Sequence, residues 1–270
     1  MSITALPSNF TSSLNSKRNS VFNACLSGIV ASAIDLGTIN NFSIYIKNQR
    51  QLNRQLNYEL LQETLKYGYR GFGLHWFQFG LAGGFTFALE THFCSILRDY
   101  YDETLFTKSL VRGFSSVSVA ALWNTPMENL ALKKQLTGDS TMTTVRMIFR
   151  NTNHHCLSNM FRGVVPVTLR QAIVMPFLLA GRDISNQLPD IYKNSVLANT
   201  AVSFTIGGIG GLLSTPVDTI RVHMQSQNQP LSKVLINSNL HYFKGASFRF
   251  FMIGYSSIVV NHVRDVMGVV

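Results

Sequence analysis

The sequence predicts an all-helical membrane protein built from three similar segments, and two observations lead to this fold class. Only 13% of the 270 residues are charged and 46% are hydrophobic, whereas soluble domains carry about 25% charged residues. Landmark residues also recur at intervals close to 90 positions. So few charges leave too little polar surface to face water on all sides, and most of the chain is therefore expected to lie in a bilayer.

Six apolar stretches, taken with their flanks, are candidates for membrane helices, because crossing the hydrocarbon core takes about 20 residues. They begin near Asn19, Gly71, Gly113, Gly163, Asn194 and Phe250. The charges inside them are Asp35 in the first stretch and Arg170 in the fourth. A charge in this position costs about 2.5 to 3.5 kcal/mol, so it usually faces a partner or a wet cavity. The six helices are therefore predicted to form a bundle around water.

The first repeated landmark is an acid near the end of each odd-numbered stretch. Pro126 and Glu128 recur 90 residues later as Pro216 and Asp218. The glutamines nine residues after these prolines are Gln135 and Gln225. Asp35 keeps the acid in the first third, but no proline precedes it. A proline inside a helix removes a backbone hydrogen bond and bends the helix, so Pro126 and Pro216 are predicted to form kinks. Taken singly, either one could be an ordinary transmembrane proline.

The second landmark is an aromatic-basic-glycine triplet that opens each even-numbered stretch. The triplets are Tyr69-Arg70-Gly71, Phe161-Arg162-Gly163 and Phe243-Lys244-Gly245. A third, weaker landmark is an acid about 20 residues beyond each glycine: Glu90, Asp183 and Asp265. The same order in all three thirds predicts repeats over residues 21–105, 106–190 and 191–270, after a polar and loose N-terminal tail over residues 1–20.

These landmarks resemble the mitochondrial solute carriers, whose pattern is Pro-x-acid-x-x-base on odd helices and an aromatic-basic-glycine step before even helices. The resemblance runs from about Phe22 to Asp265 and is strongest in the third repeat, where Arg221 follows Asp218 by three residues. It implies a three-fold pseudo-symmetric bundle of six transmembrane helices, with a short helix along the membrane after each odd one.

The same resemblance implies a place in the mitochondrial inner membrane. Residues 1–20 lack the apolar stretch and cleavage site of a signal peptide, so we expect internal targeting without a cleavable presequence. An even number of spans places both termini on the same side, which in this family is the intermembrane space. The protein is expected to be a monomer.

In the family, the acids and bases of the odd helices form a removable gate on the matrix side. The residues implied for this gate are Asp35, Glu128, Asp218, Arg221, Gln135 and Gln225. The base positions after Asp35 and Glu128 hold Thr38 and Ala131. We therefore expect one strong ion pair where three are usual, with Lys133 and Lys134 as partial substitutes.

The opposite gate of the family uses an acid and a following base late on the even helices. The implied acids are Glu90, Asp183 and Asp265, and the base positions hold Phe93, Asn186 and Gly268. This gate is therefore expected to be weak.

Solute contacts in the family lie on the even helices, about seven residues beyond the triplet glycine. The implied substrate-binding residues are Arg170, Gln171, Gln78 and Met252, with His75 and Arg249 one turn closer to their glycines. The guanidinium of Arg170 can hold a carboxylate or phosphate through two parallel hydrogen bonds, and the alternative is an internal ion pair. His75 could equally be a buried, hydrogen-bonded histidine. The Arg-Gln pair favours a carboxylate or keto acid over a nucleotide or phosphate.

The triplets also resemble the cardiolipin sites of the family, since helix N-termini and adjacent cations attract phosphate. The implied lipid-binding residues are Arg70, Gly71, Arg162, Gly163, Lys244 and Gly245. The alternative is a helix start with a basic residue at the membrane surface.

The net charge of +10 suits anionic lipid, nucleic acid or an acidic solute, and the apolar stretches exclude nucleic acid from these partners. No catalytic set stands out, and no metal or cofactor is expected: His154, His155 and Cys156 point in different directions in a polar loop.

The sequence thus predicts a transporter of a small anionic metabolite that works by alternating-access exchange. The alternative is a carrier-fold membrane adaptor or scaffold that no longer transports, as the depleted gates and the missing first proline suggest. The origin stays open between a divergent eukaryotic carrier and a pathogen protein sent to host mitochondria.

Overall fold

A computed structural model describes residues 8–52, 54–69, 72–97, 104–150, 159–189, 195–236 and 241–269. These residues form helices and connecting turns, and they contain no strand. The helices are α1 (Ser8–Asp35), α2 (Asn41–Gln51), α3 (Tyr58–Tyr67), α4 (Phe72–Leu97), α5 (Leu105–Val119), α6 (Thr125–Thr137), α7 (Thr141–Arg150), α8 (Val164–Ser185), α9 (Val196–Ser226), α10 (Leu231–Ile236) and α11 (Ala246–Val266). The predicted helical character is confirmed.

Helix α1 starts earlier than the composition predicts. It begins at Ser8, so the backbone of residues 8–20 is helical and the expectation of a loose tail is wrong for this part. Between Ser8 and Gly28 the sequence has no proline or glycine, the two residues that most strongly oppose a helix interior. The polar composition therefore does not stop the helix from extending.

Six long helices of the described chain pack as a closed ring, with α5 continuing into α6 on its side of the ring. The order of contacts is α1 with α4, α4 with α5, α5 with α8, α8 with α9, α9 with α11, and α11 with α1. Glycines permit the closest approaches: a Cβ atom at Gly28 would lie 2.4 Å from the backbone carbon of Gly83 on α4. Counted in chain order within the ring, the odd helices are α1, α5 and α9, and the even helices are α4, α8 and α11. One of the short helices α3, α7 and α10 follows each odd helix before the next even one.

Within the described part of the chain, three helices are long and apolar enough to cross a membrane: Asn19–Thr38, Val164–Ser185 and Val196–Ser226. They belong to α1, α8 and α9, which all lie in the ring. This finding supports a membrane protein, whereas crossing by all six helices stays a prediction.

The odd helices are interrupted in different ways. Leu36–Asn40 and Ala120–Asn124 are π-helical, and the backbone of Thr38 leaves the helical region with φ −105° and ψ −133°. Pro126 follows the second π segment, in the first turn of α6. Pro216 lies inside the single helix α9. The first odd helix therefore breaks without the proline from which a kink was predicted.

Candidate functional site

The ring encloses a cavity of about 160 Å³ to which all six of its members contribute side chains. The lining changes along each even helix. On α8 it runs from Arg170 and Gln171 to Val174 and Leu178, from charged to apolar. The cavity therefore has a charged end, near the starts of the even helices, and an apolar end.

The charged end is formed by a group of buried ion pairs that we call the basal cluster. Its members are Lys47, Glu128, Arg170, Asp218, Arg221 and Arg249. Asp218 on α9 is its centre, with carboxylate oxygens 2.7 Å from Lys47 Nζ, 2.9 Å from Arg221 Nε, 2.9 Å from Arg249 Nη1 and 3.0 Å from Arg170 Nη1. None of these six side chains is more than 7% exposed.

Arg170 connects the ends of two odd helices. It donates from Nη2 to Glu128 on α6 and from Nη1 to Asp218 on α9. Arg221 Nη1 also lies 3.1 Å from the Glu128 carboxylate, and Gln78 Nε2 donates to it over 3.1 Å. Arg170 thus forms, in this conformation, the internal ion pair that was the alternative to solute binding. Its role toward a solute stays a prediction.

The basal cluster is electropositive. In the described part of the chain its four cations face two carboxylates, which leaves an excess of two positive charges. A low-dielectric cavity lined by an excess of one sign attracts and concentrates ions of the opposite sign. This end of the cavity therefore suits an anion.

The expectation of one ion pair at the odd-helix ends is wrong, because Lys47, Arg170 and Arg249 supply further cations. Lys133 Nζ instead donates to Asn228 and Lys134 Nζ to Thr141. A spacing of three residues applies along one regular helix. Partners on other helices fall outside that rule, so Lys47 was missed, and Arg170 and Arg249 were assigned to solute binding, with an internal ion pair as the alternative for Arg170.

Asp35 lies apart from the basal cluster although it holds the equivalent place in the repeat. It lines the cavity, and its carboxylate accepts from Asn40 Nδ2 over 2.6 Å and from Ser256 Oγ over 3.0 Å. Of the three acids assigned to this gate, Glu128 and Asp218 therefore share a network and Asp35 does not.

The two repeated glutamines support this region through hydrogen bonds. Gln135 Oε1 accepts from Asn48 over 2.9 Å, and its Nε2 lies 2.9 Å from His75 Nε2. Gln225 accepts from Arg221 over 3.1 Å and donates to the carbonyl of Arg162 over 3.2 Å. They connect the odd-helix ends to the starts of the even helices.

A second group of ion pairs, the distal cluster, lies at the other end of the ring. Its members are Glu90, Arg112, Arg182, Asp183, Arg264 and Asp265. Arg112 on α5 bridges Glu90 on α4 over 2.9 Å and Asp183 on α8 over 2.5 Å. Arg264 contacts Glu90 over 2.7 Å, and Arg182 contacts Asp265 over 2.7 Å.

The expectation of a weak gate at the distal end is therefore wrong. Its bases come from α5 and from the positions just before Asp183 and Asp265, not from the positions three residues later. These partners meet across helices, which a pattern along one helix does not reveal.

The residues assigned to solute binding mostly meet at the cavity. Those that line it are Arg170, Gln171, His75, Arg249 and Met252. Gln78 does not line it; its side chain is fully buried and bonded to Glu128. His75 is also buried and bonded to Gln135, in agreement with the alternative given for it.

The triplet glycines begin helices where the structure describes them. Gly163 precedes α8 with φ +87°, and Gly245 precedes α11 with φ +86°, a left-handed conformation that favours glycine. The Arg162 side chain donates to the Asn228 carbonyl and to Asn159 Oδ1, and Lys244 lies in the turn before α11. Arg70 and Gly71 lie outside the described residues, as do His154, His155 and Cys156.

Among the described residues no group of three or more His, Cys, Asp or Glu side chains could hold a metal ion. The ring of helices around a charged cavity, with ion pairs at both ends, has the features expected of a membrane protein that handles a polar solute.

The chain is 25% identical over 142 residues to the mitochondrial substrate carrier family protein ucpB of Dictyostelium discoideum. The aligned residues are 50% of this chain and 48% of that protein, so the chain spans about half the length of the curated relative it matches. No family model matches the chain. The similarity supports a relationship to the mitochondrial carriers and, together with the apolar helices, suggests a transporter role in a membrane.

Proposed function

We propose that this protein is a transporter of the mitochondrial-carrier type that moves a small anionic metabolite by alternating-access exchange. The observation that carries the proposal is the positive excess of the basal cluster at the end of an enclosed cavity. A carboxylate or keto acid is the favoured solute, and a nucleotide or phosphate is the alternative.

In this proposal the solute binds to the side chain of Arg170 and thereby opens the basal cluster. A carboxylate solute takes the place of Glu128 and Asp218 on the planar guanidinium, because the guanidinium donates two parallel hydrogen bonds to one carboxylate. This exchange of partners frees α6 and α9 from α8. An anion that binds the opened arrangement better than the closed one shifts the population toward it.

Burial of the ion pairs favours exchange over a leak. Removing one partner from a buried pair costs about 3 to 5 kcal/mol, so the odd-helix ends are held together until an anion compensates the cations. The distal cluster closes the other end, where Arg112 holds α4 and α8 together. Alternate opening of the two clusters then moves the solute across.

The proposal includes the mitochondrial inner membrane, six spans, both termini on the intermembrane-space side and a monomer. It also includes cardiolipin at the three triplets. The resemblance of the repeats and the similarity to a mitochondrial carrier support these points. The positive-φ glycines place backbone N–H groups at the starts of α8 and α11, beside Arg162 and Lys244.

The adaptor alternative loses its main support. It depended on depleted gates and a missing proline, whereas both clusters have cations from other helices and the first odd helix breaks at Thr38.

Uptake into liposomes tests the proposal. The purified protein is reconstituted in liposomes preloaded with pyruvate, 2-oxoglutarate, malate, phosphate or ATP, and entry of the same labelled anion is measured. We expect uptake of at least one carboxylate by the wild type and its loss in Arg170→Ala. The control Arg146→Ala removes an exposed arginine of α7 and keeps uptake. Absence of uptake of every anion contradicts transport, and equal uptake by Arg170→Ala contradicts the role of that residue.

A further inference from the structure

Asp35 differs from its two repeat equivalents in its lack of cation partners. The carboxylates of Glu128 and Asp218 contact two and four cations respectively. Asp35 has no lysine, arginine or histidine nitrogen within 4.0 Å among the residues whose side chains are described. It nevertheless lies inside the apolar span Asn19–Thr38 and faces the cavity. A carboxylate in such a place is costly as an isolated anion.

The hydrogen bonds around Asp35 accommodate both of its protonation states. Asn40 Nδ2 has two protons, and it contacts Asp35 Oδ1 over 2.6 Å and Ser256 Oγ over 2.8 Å. The single hydroxyl proton of Ser256 has two acceptors at 3.0 Å: Asp35 Oδ2 and the carbonyl of Met252.

When Asp35 is ionised, the Ser256 hydroxyl donates to Oδ2. When Asp35 carries a proton on Oδ2, that proton is donated to Ser256 Oγ, and the hydroxyl turns to the Met252 carbonyl. Every donor has an acceptor in both states, and no heavy atom has to move, because a hydroxyl both donates and accepts.

The other ionisable groups that face the cavity differ from Asp35 in this respect. They are Lys47 on α2, His75 on α4, Glu128 on α6, Arg170 on α8, Arg221 on α9 and Arg249 on α11. Each of the charged ones contacts a group of opposite charge. The Nε2 atom of His75 contacts the Gln135 side chain, and no described residue forms a hydrogen bond with its Nδ1. His75 is thus the competing candidate for a proton carrier.

We propose that Asp35 binds a proton from the cavity and releases it in each transport cycle, so that anion movement is coupled to proton movement. This inference rests on the proposed transport function. The step forms one O–H bond on the Asp35 carboxylate and breaks it on release; it needs no redox partner, and the other groups only reorient their hydrogen bonds.

Protonation of Asp35 also changes the charge that an anion meets. With Asp35 ionised, the described cations of the cavity exceed its carboxylates by one; with Asp35 protonated, they exceed them by two. The protonated state therefore attracts an anion more strongly, and by reciprocity a bound anion favours protonation. Anion and proton are expected to move in the same direction.

Uptake and lumenal pH, measured together, test the coupling. Liposomes that contain the reconstituted protein, a trapped pH dye and internal pyruvate, malate or phosphate at about pH 8 are given the same labelled anion at about pH 5 to pH 8, and protein-free liposomes are subtracted. We expect wild-type uptake to rise as the external pH falls and to acidify the lumen. In Asp35→Asn, whose amide is neutral at every pH, both the pH dependence of uptake and the acidification are lost. The control Glu59→Gln, an exposed acid of α3, behaves as the wild type.

Ser256→Ala provides a test that keeps the acid. It removes the hydrogen bond to the ionised carboxylate, which is stronger than the bond that the protonated acid donates to the same hydroxyl, so the midpoint of the pH dependence shifts to higher pH. An unchanged midpoint, or an Asp35→Asn variant with wild-type pH dependence, overturns the proposal. If His75→Gln loses the coupling and Asp35→Asn keeps it, His75 carries the proton and the proposal is also overturned.

The test separates this inference from the proposed function. Wild-type uptake without proton entry overturns the coupling and leaves transport in place. No uptake of any anion by the wild type overturns both.

Discussion

The basal and distal clusters are both networks of cations and carboxylates, but their burial and charge differ: no basal side chain is more than 7% exposed, whereas Asp265 of the distal cluster is 55% exposed. The basal cluster has four cations to two carboxylates in the described structure, and it lines the cavity. Among the residues that the structure describes, the distal cluster has three of each. A balanced network can close one end of a bundle without attracting an ion. A network with excess positive charge attracts an anion, so the two ends of the same ring are suited to different tasks.

The difference also appears in how each cluster connects helices. In the basal cluster one acid, Asp218, gathers cations from α2, α8, α9 and α11. In the distal cluster one base, Arg112, gathers acids from α4 and α8. An anion competes directly with Asp218 for its cations, whereas it has no comparable place at Arg112.

The largest effect is expected for Asp218→Asn, which removes the acid at the centre of the basal cluster. Lys47 and Arg249 then lose their carboxylate partner, and Arg170 and Arg221 keep Glu128. Loss of one partner of a buried ion pair costs about 3 to 5 kcal/mol. Thermal unfolding in detergent measures the change. The control Asp139→Asn removes an acid from the turn between α6 and α7. Unfolding of Asp218→Asn at the wild-type temperature would show that the cluster does not hold the helices together.

A smaller effect on stability and a different effect on transport are expected for Arg112→Gln. Glu90 keeps Arg264 as a partner, so the cost falls to about 1.5 to 3 kcal/mol, the range for a hydrogen bond to a charged group. Because the distal end then opens without exchange, uptake into liposomes without internal anion should rise. A fall in this uptake, parallel to that of Arg170→Ala, would mean that the two clusters have the same task.

Packing of α1 on α4 should be sensitive independently of charge. A Cβ atom at Gly28 meets the backbone of Gly83 at 2.4 Å, whereas one at Gly73 has no atom within 4 Å. Gly28→Ala is therefore expected to destabilise by about 1 to 3 kcal/mol through overpacking, and Gly73→Ala is expected not to destabilise. Thermal unfolding of the pair distinguishes them, and equal values contradict the close approach.

The smallest effect is expected at the ion pair between Arg54 and Glu63, where the atoms are 2.6 Å apart and the side chains 40% and 36% exposed. The hydrogen bond from Arg54 lowers the pKa of Glu63 below its ordinary value. The pair therefore stabilises the fold above the unfolded-state pKa, and its contribution is lost as the pH falls through the lower folded-state pKa.

Solvent screening limits this contribution to no more than about 1 kcal/mol. Glu63→Gln, followed by thermal unfolding at neutral and acidic pH, should differ from the wild type only at neutral pH. A difference as large as that of Asp218→Asn would contradict the contrast between buried and exposed pairs.

The features that repeat along one helix could be predicted from the sequence. Runs without charge predicted the long helices, and the spacing from the triplet glycines led to Arg170 and Met252, which the structure places at the cavity. The cation partners could not be predicted, since Lys47 and Arg112 meet their acids across helices. The break at Thr38 was missed because no proline marks it, and the single glycine there, Gly37, is a weak signal within a helix. Pairing across a ring depends on the rotation of each helix, which periodicity alone does not fix.

The most direct test of the account is anion-dependent thermal stability of the wild type, Arg170→Gln and Arg112→Gln in detergent. A ligand at 100 times its Kd stabilises a folded protein by about 2.7 kcal/mol. If the basal cluster binds the solute, an anion that is taken up should raise the melting temperature of the wild type and of Arg112→Gln, but not of Arg170→Gln. Equal stabilisation of Arg170→Gln, or loss of stabilisation in Arg112→Gln alone, would contradict the assignment of the binding site to the basal cluster.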